Sequence, residues 1–382
     1  MEYTLNMDID RLIKPQIIAD LKQQRKVVLL YGPRQAGKTT LSKHIIQEIG
    51  LKTLMINADQ SKYIDVLSSR DMGKLRSLVA GYELLFIDEG QRIPEIGINL
   101  KILHDELPGL KILVTGSSSF LLSGRVSESL AGRKKIYTLL PLSMQELAVT
   151  NNPYELKDQL EVRLVFGSYP EVIKTISNSG KEDYLRDISS SLIFKDILEL
   201  EMIKYPMKIR DLLKLLAYQV GSQVSLHELG IKLGLNRETV ERYLILLEQS
   251  FVIFKLPAFS HNPRKEISKS QKYYFYDTGI RNILIDNMKY LNDRNDTGAL
   301  WENFIIAERR KYLLYNQKNA SCYFWRTYAG TEIDYVEETI GKYFAYEIKS
   351  GKSKTRIPAS WSSEYGSDFL NINRDNFLEF IL

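Results

Sequence analysis

Val27-Val28-Leu29-Leu30-Tyr31-Gly32-Pro33-Arg34-Gln35-Ala36-Gly37-Lys38-Thr39-Thr40-Leu41 is the stretch whose reading decides the fold. An apolar run enters a loop bounded by two glycines, and a helical pattern from Thr40 to Ile49 follows it. Gly32, Gly37, Lys38 and Thr39 stand at the spacing G-x-x-x-x-G-K-[ST], in which successive backbone N–H groups wrap phosphates and the next helix points its positive end at them. Lys38 is expected to meet the β/γ-phosphates of a nucleotide and Thr39 to offer its hydroxyl to Mg²⁺, with Pro33, Arg34, Gln35, Ala36 and Thr40 completing the cradle.

Two further apolar runs suit the same sheet. Leu84-Leu85-Phe86-Ile87-Asp88-Glu89 is continuous and ends in two carboxylates, as expected of a parallel strand buried on both faces whose tip reaches the site. Asp88 is expected to hold Mg²⁺ through water and Glu89 to act as general base on the attacking water. Leu110 to Ser119 is the third run, with Ser117 or Ser118 placed to contact the γ-phosphate or that water. Arg125 and Arg133 follow as candidate cationic partners of the phosphates, Arg133 the first choice. Strands alternating with helical stretches over residues 27 to 140 imply an α/β domain, a P-loop NTPase parallel sheet with helices on both faces.

Composition sets the frame. In 382 residues, 44% apolar and 26% charged, a soluble globular protein of two or three domains is expected. No apolar run approaches the ~20 residues of a bilayer span, and the opening stretch is acidic where a secretory leader is basic, so a cytoplasmic protein without a membrane partner is expected. The single cysteine, Cys322, excludes an internal disulfide, and four scattered histidines argue against a zinc cluster. A net charge of +5 allows nucleic acid as a partner without requiring it.

Beyond residue 150 the pattern turns helical, with Phe166 to Ile173 (FGSYPEVI) as a turn and another helix expected over Ser189 to Lys204. Ser225 and Asn236 are placed to cap two successive helices separated by Gly234, and Phe251 to Leu256 and Lys272 to Tyr276 follow as a hairpin: a helix-turn-helix with a wing. Arg237 and Arg242 on the second helix, and Arg264, Lys265, Lys269 and Lys272 around the wing, form a candidate face for DNA or RNA phosphates. Glu238 and Glu241 dilute that face, so a lid or spacer role stands beside it.

The last third holds a second constellation. Asp334 lies on an alternating strand, and Glu347 and Lys349 share one face of the next, because strand side chains repeat every second residue. This resembles the PD-(D/E)XK nuclease core: Asp334 and Glu347 would bind a second divalent metal, Lys349 would stabilise the attacking water or developing phosphate charge, and Glu302 from a preceding helix would complete the cage. Glu332 and Ile333, rather than proline, precede Asp334.

GPRQAGKTT, LLFIDEGQRIP, TGSSSFLLS and LAGRKKIYTLLPLSMQEL together resemble prokaryotic AAA+-like P-loop ATPases that carry a restriction-endonuclease-like C-terminal domain of unknown function. The resemblance implies an ATP- and Mg²⁺-using domain at 1–150, a helical and winged-helix domain at 151–285, and a C-terminal α/β nuclease-like domain at 286–382. Two functions follow as expectations. One is an ATPase governing a nucleic-acid-directed C-terminal domain, as a monomer or a homo-oligomer. The other is a nucleotide-switched protein-interaction module with an inactive nuclease-like fold.

Overall fold

The computed structural model describes residues 9–23, 26–116, 128–191, 205–259, 270–351 and 355–382. Its first layer is a five-stranded parallel sheet of β1 (Val27–Tyr31), β2 (Thr53–Asn57), β3 (Leu84–Asp88), β4 (Lys111–Gly116) and β5 (Lys134–Thr138) in the order β2-β3-β4-β1-β5. Strand β4 therefore separates the strand that feeds the phosphate loop from the one that ends in Asp88.

Alternate residues of these strands serve two cores. Val28, Leu30, Phe86 and Leu113 face α1 (Lys14–Gln23) and α2 (Lys38–Ile49), while Leu29, Leu85, Ile87 and Val114 face α3 (Met72–Val79) and α4 (Ile96–Glu106). This two-sided burial is why the strands read as unbroken apolar runs.

The middle of the chain packs α5 (Leu160–Phe166), α6 (Asn178–Ser191) and a later helix, and it also contains the expected winged helix. There, α7 (Pro206–Tyr218), α8 (Leu226–Leu233) and α9 (Arg237–Gln249) stand on an antiparallel sheet of β6 (Gln223–Val224), β7 (Ile253–Pro257) and β8 (Gln271–Phe275), ordered β6-β8-β7. The caps are those read from the sequence. Ser225 accepts from Glu228 N, Asn236 from Thr239 N, and Gly234 ends α8 with φ 64°. Of the helix expected over 189–204, residues 192–204 lie outside the described residues.

Next, α10 (Thr278–Leu284) packs on α5 and α6. The long α11 (Thr297–Tyr315) leads to a four-stranded sheet, β9 (Ser321–Arg326), β10 (Glu332–Thr339), β11 (Lys342–Ile348) and β12 (Phe369–Ile372), ordered β12-β11-β10-β9, and to α12 (Phe377–Ile381). One buried apolar cluster runs from α1 and α2 through the winged helix to α11 and α12, so the three sheets share a core.

Two close approaches fix the phosphate loop. A Cβ on Gly32 would stand 2.0 Å from the Leu139 carbonyl oxygen, so glycine is required there. Arg11, buried just before α1, donates from Nη1 to Ala36 O at 2.7 Å, from Nη2 to Leu140 O at 2.6 Å and from Nε to Glu146 at 2.8 Å. Arg11→Met removes the cation that Glu146 faces in the core and should destabilise the chain by about 3–5 kcal/mol in urea unfolding; an unchanged midpoint and slope would show that the clamp is dispensable.

Candidate functional site

The phosphate loop is ready for an anion on its backbone side. Gly37, at the start of α2, adopts φ 97°, and among the described residues no side chain caps that helix, so its first N–H groups point at the loop. Lys38 is buried and donates to the carbonyls of Gly32 and Pro33, both at 2.9 Å, which holds its ammonium over the loop.

Asp88 is fixed by two hydroxyls. Thr39 donates to it at 2.9 Å, and Thr115, at the buried end of β4, donates to its other oxygen. Glu89 N in turn donates to Thr115 Oγ1 at 3.2 Å. Glu89 has φ 57°, which swings its side chain off the strand axis, where its carboxylate accepts from Gln91 Nε2. The hydroxyl of Thr39 and the carboxylate of Asp88 are hard oxygen donors converging beside the loop. That set suits Mg²⁺, which takes one or two protein oxygens and fills the rest with phosphate and water.

Beside the loop, a small open cleft of ≈ 70 Å³ is bounded by Asp10, Lys14, Leu41, His44, Pro170 and Lys174. Pro170 comes from the FGSYPEVI turn, which the main chain ties to the first domain through Leu142 N donating to Ser168 O at 2.9 Å.

Arg133 does not reach the phosphates. It precedes β5, which runs parallel to β1, so it stands at the opposite edge of the sheet from the loop, where its carbonyl accepts from Val27 N and its guanidinium pairs with Asp105 at 2.7 Å. Ser117, Ser118 and Arg125 lie outside the described residues. Thr115, which is not among the expected residues, makes the contact to Asp88; a lone hydroxyl in an otherwise apolar strand has no periodic signal to find it by.

The C-terminal constellation comes together. Asp334 Oδ2 accepts from Ile348 N at 2.9 Å and from Lys349 Nζ at 3.2 Å, and Lys349 also pairs with Glu347 at 2.8 Å. A register shift between Ile333 and Val336 accompanies Asp334 on β10, in place of a proline turn. Glu302 approaches from α11. Burial pushes its carboxyl up to about 7, with Lys272 opposing that shift and Asp334 adding to it. Among the described residues, no three His, Cys, Asp or Glu side chains converge as a metal cage. The chemistry of the donors still fits a weakly held divalent ion. Asp334 and Glu347 both reach one point that a cation, the Lys349 ammonium, already occupies, and Mg²⁺ commonly has only one or two carboxylates.

The basic face divides. Arg237 and Arg242 are exposed on α9, interspersed with exposed Glu238 and Glu241. Arg264, Lys265 and Lys269 lie outside the described residues. Lys272 is not on the surface at all: it is 2% exposed and pairs with Glu332 at 2.5 Å and Glu302 at 3.5 Å, because the face of β8 that carries it is covered by the C-terminal part of the chain.

A family model described as AAA domain matches residues 24–148, and models described as Domain of unknown function (DUF8612) and Domain of unknown function (DUF4143) match 157–290 and 297–363. The chain is 31% identical over 327 residues to the uncharacterized protein Rv2008c of Mycobacterium tuberculosis, spanning 85% of this chain and 70% of that one. It is 28% identical over 237 residues to the Holliday junction branch migration complex subunit RuvB of Ehrlichia chaffeensis, spanning 58% and 66%. A solved structure, the Walker-type ATPase paby2304 of Pyrococcus abyssi, is 17% identical and covers 72% of this chain and 95% of its own, with a TM-score of 0.47.

Thr115→Val removes a hydroxyl that orients Asp88 and should lower Mg²⁺-dependent ATP turnover by about 10- to 100-fold. Arg133→Ala should turn over at the parent rate in the same assay. The reverse ranking would restore Arg133 to the site.

Proposed function

The chain belongs to the family of the mycobacterial protein Rv2008c and carries an AAA domain, and from that premise we propose that it binds and hydrolyses ATP with Mg²⁺ to govern a nucleic-acid-directed C-terminal site. The observation that carries the first half is the bonded chain Thr39, Asp88, Thr115, Glu89 laid beside an uncapped helix start. Backbone N–H groups of 32–37 and the Lys38 ammonium bind phosphate oxygens, and Thr40 and Leu41 flank the nucleotide. Thr39 and Asp88 are the residues that would hold Mg²⁺, which would supply neutralisation of the phosphate charge. Glu89 takes the proton of the attacking water on its carboxylate, and the Gln91 bond sets where that carboxylate points. An arginine for the transferred phosphoryl group comes from Arg125 or from a second copy of the chain in this reading, since Arg133 stands at the other end of the sheet.

The second half rests on Asp334 of β10, Glu347 of β11 and Lys349 just beyond it meeting around one point, which would suit a metal-dependent phosphodiester-cleaving site. Arg237, Arg242, Arg264, Lys265 and Lys269 would track the phosphates of DNA or RNA. RuvB is named for acting at Holliday junctions, which favours DNA. The division at 1–150, 151–285 and 286–382 and a cytoplasmic location belong to the same proposal. No helix among the described residues is long and apolar enough to cross a membrane. A second reading, a nucleotide-switched protein-interaction module with an inactive nuclease-like fold, is favoured by the mixed charges of α9, where Glu238 and Glu241 sit among the arginines.

Glu89→Gln should bind ATP but hydrolyse it about 10²-fold or more slowly, and Lys38→Ala should lose nucleotide affinity. Hydrolysis by Glu89→Gln at the parent rate would remove Glu89 as base. The parent should nick DNA or RNA with Mn²⁺, and Asp334→Asn should not. A parent that neither nicks nor shows a salt-sensitive gel shift with nucleic acid would establish the second reading instead.

A further inference from the structure

Glu302 reaches the C-terminal constellation from α11, yet the groups that hold it belong to the winged-helix sheet. Tyr274 on β8 donates its hydroxyl to Glu302 Oε1 at 2.6 Å. Two residues earlier, on the same face of the strand, Lys272 places its ammonium 3.5 Å from that oxygen and 2.5 Å from Glu332 Oε1. Gly221, with φ 78°, brings main chain so near that a Cβ there would stand 3.3 Å from both Glu302 oxygens. The seam is continuous with the sheets themselves: Phe259 N, just past β7, donates to Phe324 O of β9 at 2.7 Å, and Ala258 bridges Phe324.

The site thus has a closed floor and an open mouth. Lys272 is 2% exposed and Tyr274 fully buried, while Lys349 on the far side of the carboxylates is 42% exposed. A seam alone does not call for this chemistry. Apolar side chains of similar volume hold a buried interface as well as an ion pair does, whereas a buried ammonium costs several kcal/mol unless carboxylates face it. Here the ammonium and the phenol meet at Glu302, whose carboxyl feels the charge of Asp334, and the ammonium also pairs with Glu332 on β10. Lys349 can turn toward solvent when another cation takes its place; Lys272 cannot.

We propose that Lys272 and Tyr274 are positioning residues of the C-terminal site, fixing Glu302 as an outer carboxylate behind the Asp334–Glu347 pair, so that the site holds a divalent cation only with the winged-helix sheet docked. The inference rests on the divalent-cation reading of Asp334 and Glu347 given above. The winged helix then is a structural part of the C-terminal site rather than a separate reader beside it.

The test is Mn²⁺ binding to the full chain without nucleotide, followed by electron paramagnetic resonance, with the unfolding midpoint of each variant measured alongside. Among the described residues the ATP site without nucleotide phosphates brings Thr39 and Asp88 together as donors, so Asp334→Asn identifies the C-terminal signal by abolishing it. Tyr274→Phe should weaken Mn²⁺ binding by about 10- to 100-fold at an unchanged midpoint. Lys272→Met should weaken it similarly, and Lys272→Arg, which keeps the charge, should recover part of the loss. Should Lys272→Met fail to fold, Tyr274→Phe decides. Absence of Asp334-dependent binding in the parent overturns the divalent-cation reading and this inference together. Asp334-dependent binding that Tyr274→Phe and both Lys272 variants leave at the parent level overturns the positioning role alone and leaves the pair as a seam.

Discussion

A buried guanidinium holds this molecule in register. Arg11 has one partner in the phosphate loop, one at Leu140 and one in the Glu146 carboxylate, and each is a group that burial would otherwise leave unsatisfied. Glu146 also accepts from Ser143 N at 2.9 Å, closing the first turn of the helix at Met144–Leu147. The next layer builds on that turn. Leu140 N donates to the Tyr315 hydroxyl at 3.0 Å, Met144 N to Glu308 at 2.6 Å, and Lys311 to Leu142 O at 3.2 Å, so α11 lies along the same segment that Arg11 ties to the nucleotide loop. Because buried charges and main-chain groups must be paired, none of these contacts can slip without exposing another.

The sequence made the first site legible because its chemistry is local. A phosphate cradle needs glycines and a helix start at fixed spacing, and a strand buried on both faces writes itself as an apolar run ending at the site. Gly32, Lys38, Thr39, Asp88 and Glu89 all follow from that. What failed was direction. Arg133 reads as a candidate beside two lysines, but a residue preceding a parallel strand stands at the edge away from the strand tips, whatever its charge. Thr115 was passed over in favour of the serines beyond it, since a lone hydroxyl in a buried strand has no periodic signature. Arg11 had no signature either, because two of its three partners are main-chain carbonyls, which carry no residue identity.

Lys272 shows a different limit. Counted with its neighbours, it belongs to a basic wing. In the fold it is the residue of β8 that meets Glu302 and Glu332, carboxylates contributed by elements that come later in the chain. A buried lysine and a surface lysine look alike until the facing acids are known. The same holds for the C-terminal triad: Glu-x-Lys on alternating positions is common on solvated strands, and only the gathering of Asp334, Glu347 and Lys349 around one point separates a site from a surface pattern.

On the proposed function, communication between the two sites would run along the same helix. Glu302 and Asn303 lie near the start of α11, where Asn303 pairs through both amide atoms with the main chain of Phe275 at 2.8 and 2.9 Å. Tyr315 lies at its end, about 20 Å away at 1.5 Å per residue. A rod pinned at both ends transmits displacement rather than absorbing it. Nucleotide can bias the C-terminal site only through a difference in affinity between two arrangements of what pins the rod. The pin nearest the nucleotide is the segment from Leu140 to Glu146, and Arg11 connects that segment to the Ala36 carbonyl. Reshaping of the loop on phosphate binding that draws Ala36 O away from Arg11 would leave a buried guanidinium short of a partner, and the least costly response is movement of the 140–146 segment with α11 attached.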